Sequence, residues 1–255
     1  MSSITQIDAY QKEPFTSTLR NGKKVTNTIY TQGNGPKVVI IIQELPGIGQ
    51  ETLALADRFV NKGYTVVLPH LFGKIGKTAT AANFGKVLFC MRRQFSALAR
   101  NHSSPIVDFL SALCTYTKEK HQVQGVAVIG MCLTGNFAIS LMANEAVLAG
   151  FASQPSLPFK RGGLHMSPEE VTHVKNRLDD IGPMHCARFK GDSMCPASRF
   201  DLYKKTFNTD RERIILHELP GDGHAILTLD FVDEEGHATK DALNDVITYF
   251  DGQLN

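Results

Sequence analysis

Apolar residues in this chain follow two rhythms. Short apolar runs recur at Lys37 to Gln43 (centred on Val38-Val-Ile-Ile-Ile42), at Tyr64 to Pro69, at Val126 to Ile129 and at Ala146 to Ala152, the first three rich in β-branched residues. Each reads as a strand buried on both faces. Between them the spacing shifts to that of a helix. Leu53, Leu55, Ala56, Phe59 and Val60 share one face of a helix predicted over Gln50 to Lys62 and closed by Gly63. Further helical stretches are predicted at about Asn83 to Arg100 and Ser104 to Lys120, and again at Asn136 to Met142. Ser167-Pro-Glu-Glu170 is a capping box with proline at the first helical position, so another helix starts there. Met184 to Lys190 and Arg213 to Glu218 read as the last core strands, and Asp241 to Phe250 as a closing amphipathic helix.

The remaining segments punctuate this order. Thr16 to Tyr30 reads as a β-hairpin, with Asn21-Gly22 as a type I′ turn signal. Gln32-Gly-Asn-Gly-Pro36 is a second turn, His70 to Thr80 a Gly- and Lys-rich loop, and Ser153 to Phe159 a long irregular loop. Strands alternating with helices imply an α/β fold with a largely parallel sheet covered on both faces. No internal repeat or linker interrupts the pattern, so residues 1–255 are read as a single domain.

Composition narrows the class of function. The chain has 255 residues, a formal net charge of +2, 42% hydrophobic and 20% charged residues, the profile of a globular domain with a sizeable core. Lys and Arg form no block, so nucleic acid and anionic membrane surfaces are not expected partners. The run Val38 to Ile42 is far too short to span a bilayer, and Met1-Ser-Ser-Ile-Thr-Gln6 lacks the basic-then-apolar pattern of a secretory signal. The five cysteines (Cys90, Cys114, Cys132, Cys186 and Cys195) are odd in number and form no Cys-x-x-Cys, the usage of a reducing, cytoplasmic compartment.

One of those cysteines stands apart. Cys132 follows the run Val126-Ala-Val-Ile-Gly130-Met and precedes Leu133-Thr-Gly135 and a helical stretch. A thiol at the apex of a tight strand-to-helix turn is the setting of a nucleophile elbow. Gly130 supplies the small residue that the close approach of strand and helix requires. The last glycine of the usual pattern is replaced by Thr134, with Gly135 one step later. A thiol nucleophile needs a base, and the base needs an orienting acid. In such sheets functional groups sit on loops at the carboxyl ends of strands. Two loops qualify: Gly191-Asp192 after the Met184 to Lys190 strand, and Gly221-Asp-Gly-His224 after the Arg213 to Glu218 strand. Asp192 and His224 are the favoured partners, with Asp222 and Asp201 as competing acids. The order nucleophile, acid, histidine is that of α/β-hydrolases. No His pair has metal-ligand spacing within a helix, and none clusters with Cys or carboxylates, so no metal site is expected.

Taken together, Gly130-Met-Cys132-Leu-Thr-Gly135, Gly191-Asp192 and Gly221-Asp-Gly-His224 resemble the dienelactone hydrolase family, the Cys-dependent branch of the α/β-hydrolases. Ile42-Gln-Glu44-Leu-Pro-Gly47 resembles that family's strand-end glutamate. The resemblance implies an α/β-hydrolase fold with a mostly parallel central sheet, helices on both faces and, here, an N-terminal β-hairpin. It implies Cys132 as nucleophile, His224 as general base, Asp192 as its orienter, and Glu44 hydrogen-bonding or deprotonating the thiol. It implies an oxyanion hole from the backbone N–H groups of Leu45 and Leu133. The substrate class is a small-molecule ester or lactone, with no cofactor, and the protein is expected as a monomer or homodimer. Family enzymes that cleave dienelactone grip the substrate carboxylate with arginines, one of them shortly after the catalytic histidine. Here His224-Ala-Ile-Leu-Thr228 has none, and Arg92, Arg93 and Arg161 are the possible substitutes. Two other readings stand beside this one: a general carboxylesterase or thioesterase, and a non-catalytic relative in which Cys132 is oxidised rather than acylated.

Overall fold

The computed structural model describes residues 4–45, 47–76, 104–156, 163–164 and 166–255. The predicted helix at Asn83 to Arg100 lies outside these residues. Eight strands form one sheet: β1 (Gln11–Thr18), β2 (Lys24–Gln32), β3 (Lys37–Ile42), β4 (Tyr64–Pro69), β5 (Val126–Met131), β6 (Val147–Ser153), β7 (Met184–Phe189) and β8 (Ile214–Leu219), in the order β1-β2-β4-β3-β5-β6-β7-β8. From β4 to β8 every neighbouring pair is parallel, and the β1–β2 hairpin joins antiparallel through β2 against β4. The apolar runs explain the arrangement. All residues of β4 and β5, and all but Lys37 of β3, are buried, as strands covered on both faces must be.

The described helices are α1 (Gln50–Val60), α2 (Pro105–His121), α3 (Gly135–Leu141), α4 (Pro168–Ile181), α5 (Ala197–Phe207) and α6 (Ala238–Gln253). Two apolar layers result. One joins α2, α3, α4 and α5 to one face of the sheet through residues such as Phe109, Phe137, Val174 and Tyr203. The other joins α1 and α6 to the opposite face through Leu53, Phe59, Val246 and Phe250. The predicted capping box forms: the Ser167 hydroxyl accepts from the Glu170 N–H at 3.2 Å, and the Glu170 carboxylate accepts from the Ser167 N–H at 2.9 Å. Burial alternates along the second half of β1, and its inward Phe15 packs on Phe109 and Tyr116 of α2 at centroid distances of 5.4 and 4.9 Å.

Two details differ from the sequence reading. The hairpin turn is not type I′, which needs positive φ at both central residues. Only Gly22 has positive φ (80°), and its N–H bonds the Leu19 carbonyl at 2.8 Å while Leu19 N–H bonds the Lys23 carbonyl at 2.9 Å. This is a right-handed turn closed by a glycine in the left-handed region, so Asn21 is spared the strained conformation. Second, α5 was not anticipated. Its buried Phe200, Tyr203 and Phe207 have helical spacing, but they are thinly spread among polar residues, and Arg199 is buried with them.

Candidate active site

The site forms where β3, β5, β7 and β8 end. The elbow comes first. β5 runs into a single 3₁₀ turn, Cys132–Thr134, and then α3. Cys132 has φ 55°, one of three non-glycine residues with positive φ among those described. A non-glycine residue held there stores about 1–3 kcal/mol, which its surroundings must over-determine. They do so in three ways. The Ser156 N–H bonds the Cys132 carbonyl at 3.0 Å. The Thr134 hydroxyl accepts from the Met131 N–H at 2.9 Å and reaches the Ile42 carbonyl of β3 at 3.2 Å. The buried Asn136 amide donates to the Leu133 and Ser156 carbonyls and accepts from the Tyr203 hydroxyl of α5 at 3.1 Å. Thr134 thus ties the turn to the neighbouring strand.

The glycines have matching reasons. A Cβ on Gly130 would lie 2.2 Å from the Thr134 carbonyl oxygen. A Cβ on Gly135 would come within 3.0 Å of Pro155. The close approach that a glycine must serve has therefore moved one position, from 134 to 135.

The two loops predicted to carry the partners meet at this turn. His224 Nδ1 and Asp192 Oδ2 are 2.7 Å apart. The other Asp192 oxygen accepts from the Met194 and Cys195 N–H groups at 2.8 and 3.0 Å. Burial works against the charge on Asp192, but the His224 bond and these backbone donors outweigh it and hold the carboxyl below its usual range. Of the competitors, Asp222 is exposed in the same loop as His224 and Asp201 is exposed on α5. Burial likewise disfavours protonation of the His224 ring, but the Asp192 carboxylate and the Cys132 thiol prevail and raise it to about 10. Nε2, the ring nitrogen away from Asp192, is buried and makes no hydrogen bond among the described residues. The arrangement favours an imidazolium whenever the sulfur is a thiolate.

Sequence reading missed the residue that fixes this histidine. One oxygen of Asp230 accepts from the His224 and Ala225 N–H groups, both at 2.7 Å, and Gly223 leaves just enough room for that carboxylate. An aspartate six residues downstream carries no local signal; only the folded-back loop brings it into place.

Glu44 stands at the end of β3 and is 8% exposed. Its neighbour Gln43 pins the strand end, donating to the Phe72 carbonyl at 2.7 Å and accepting from the Leu71 N–H at 3.1 Å. The Glu44 carboxyl accepts a hydrogen bond from the Thr228 hydroxyl, four residues past His224. Burial pushes the carboxyl above its usual range, with Thr228 and the charge on His224 pulling the other way. Leu45 and Leu133 are buried at the same strand ends, and the Leu133 N–H lies in a first helical turn, where it has no intrahelical acceptor. Arg92, Arg93 and Arg161 lie outside the described residues. Among the described residues no group of three or more His, Cys, Asp or Glu is arranged to hold a metal ion, and no helix is long and apolar enough to cross a membrane.

The remaining described cysteines are chemically unlike Cys132. Cys114, Cys186 and Cys195 are buried, whereas Cys132 is partly exposed. Burial pushes Cys114 and Cys195 up to about 12 and Cys186 well above its usual value.

Solved structures with the same fold include a Klebsiella pneumoniae chain carrying the dienelactone hydrolase name (TM-score 0.67, 16% identity, 95% of this chain and 99% of that one). Another is the dienelactone hydrolase-like promiscuous phosphotriesterase P91 from metagenomic libraries (TM-score 0.68, 12% identity, 97% and 100% covered). The esterase Pf2001 of Pyrococcus furiosus is also similar (TM-score 0.58, 14% identity, 97% and 93% covered). In sequence, the chain is 23% identical over 148 residues to hydrolase tropI of Talaromyces stipitatus, a match spanning 57% of this chain and about half (52%) of that protein. Residues 26–254 match the family model for dienelactone hydrolases, a span that takes in the elbow and both partner loops, and on that match the chain belongs to the dienelactone hydrolase family.

Proposed function

We propose that this protein hydrolyses a small ester or lactone through a thioester acyl-enzyme, with Cys132 as nucleophile, His224 as general base and Asp192 as its orienter. The observation that carries the reading is the 2.7 Å His224–Asp192 pair acting on a thiol held at positive φ on the elbow. A carboxylate on Nδ1 fixes the tautomer and leaves Nε2 for the sulfur. The thiolate adds to the carbonyl carbon, and the oxyanion is received by the Leu45 and Leu133 N–H groups. Collapse expels the alcohol, which takes the proton from His224. Water, deprotonated by the same ring, then releases the acid and restores the thiol. Glu44 contributes by hydrogen-bonding or deprotonating the thiol. The reaction needs no metal or cofactor, and a cytoplasmic setting would keep the thiol reduced.

Esters suit this nucleophile better than amides. Thiolate is itself a good leaving group and falls back from a substrate whose own leaving group is poor. The test is pre-steady-state hydrolysis of p-nitrophenyl acetate, followed by a panel of lactones and short esters. A burst stoichiometric with enzyme is expected, absent in Cys132→Ala, with turnover reduced on the order of 10⁴-fold or more. Equal turnover in Cys132→Ala would exclude the covalent route. Reversible peroxide modification of Cys132 without any turnover would favour the oxidation reading instead.

A further inference from the structure

Thr228 lies 184 residues from Glu44 in sequence, yet its hydroxyl donates to the Glu44 carboxyl. The contact links the segment that carries His224 to the end of β3. Thr228 is itself placed by its N–H on the Ala225 carbonyl at 3.1 Å, within the loop that Asp230 fixes. Both partners are buried, Thr228 at 6% and Glu44 at 8% exposure. A hydroxyl facing a buried carboxyl does two things. It selects one orientation of the group, and it favours the ionised form by donating to it. The charged groups that bear on Glu44 are His224, Glu51 at the start of α1, and Asp230. The two acids disfavour a further negative charge and His224 supports one. No lysine or arginine is among the largest influences on Glu44. Thr228 is the neutral side-chain donor that steadies this carboxylate among the described residues.

We infer that Thr228 is a positioning residue that acts through Glu44, holding the carboxyl in the orientation and charge state that set the pH at which the Cys132 thiolate forms. When the thiolate forms, the S–H bond breaks, the proton passes to His224 Nε2, and the electron pair stays on sulfur. This inference rests on the nucleophile reading of Cys132. Without the hydroxyl, burial leaves Glu44 more readily neutral. A neutral neighbour repels the thiolate less than a carboxylate does, so the thiolate–imidazolium pair forms at lower pH.

The experiment is the pH dependence of Cys132 alkylation by iodoacetamide, with the Cys132→Ala protein subtracting labelling elsewhere. Thr228→Val, which removes the hydroxyl at nearly constant volume, is expected to move the profile to lower pH by about half a unit, roughly threefold in rate at fixed pH. Glu44→Gln is expected to move it the same way. The double variant should match Glu44→Gln alone, and Thr228→Ser should restore the wild-type profile. Thr228→Ala replaces the valine variant if valine is not accommodated. A purely structural threonine would lower the melting temperature and leave the profile in place. A profile unmoved by Thr228→Val, or a double variant whose shift is the sum of the two single shifts, would overturn the inference. Ester turnover measured in parallel separates the two readings: absent wild-type turnover with an intact Thr228–Glu44 coupling would count against the hydrolase reading alone.

Discussion

At the scale of single residues, burial decides which of several similar groups is chemically special. Asp192 and Asp222 each follow a glycine in a loop, and composition does not separate them. The fold does: Asp192 is 4% exposed and held by three hydrogen bonds, whereas Asp222 faces solvent. Asp192→Asn is therefore expected to reduce kcat by on the order of 10⁴-fold, because an amide can hold the ring but stabilises the wrong tautomer. Asp222→Asn is expected within about twofold of wild type, since surface substitutions away from special features move little. Steady-state kinetics on one ester checks both, and a dead Asp222→Asn beside an active Asp192→Asn would reverse the assignment. Cysteine follows the same logic. Three described thiols are buried and pushed toward the neutral form, and among the described cysteines only the one at the elbow is partly exposed.

At the scale of elements, the candidate site is four strand ends, several of them held by side chains that reach between segments. Thr134 ties the elbow to β3, Gln43 ties β3 to the loop after β4, and Asp230 folds the loop after β8 back on itself. The Asp230 carboxylate receives two backbone N–H groups, a charge-assisted arrangement stronger than a neutral one. Asp230→Ala should leave the sheet folded and let the His224 loop drift. A misplacement near 1 Å costs about 10²-fold in rate, so kcat/KM is expected to fall about 10–100-fold with little loss of melting temperature. Equal activity in Asp230→Ala would show that other contacts suffice to place His224.

At the scale of the whole molecule, the site's charges couple to folding. His224 is raised to about 10 in the folded protein from an ordinary 6.5. A histidine shifted upward contributes stability that is fully present below the unfolded value and is lost as pH rises through the folded one. The wild-type protein should therefore lose stability between about pH 6.5 and 10. In Asp192→Asn the carboxylate that raises His224 is gone, so the stability gap between the two proteins should narrow across that window. Urea denaturation at intervals of pH reads it directly. A constant gap from pH 6.5 to 10 would mean that the pair adds nothing pH-dependent to folding.

The sequence alone determined what local chemistry can encode. Continuous β-branched runs can only be strands covered on both faces, so β3, β4 and β5 were legible within a residue or two. Gly130 and Cys132 marked the elbow because a strand turning sharply into a helix leaves no room for a Cβ two positions before its apex. The Ser167 capping box was legible for the same reason, both of its bonds being made within four residues. Tertiary structure decided everything that depends on residues distant in sequence meeting. The pairing of Asp192 with His224 and the seating of Glu44 on Thr228 join separate segments of the chain, and the hold of Asp230 on His224 needs its loop folded back. Their energies arise from removing charges and donors from water together, and burial is a property that no residue carries before the chain has folded.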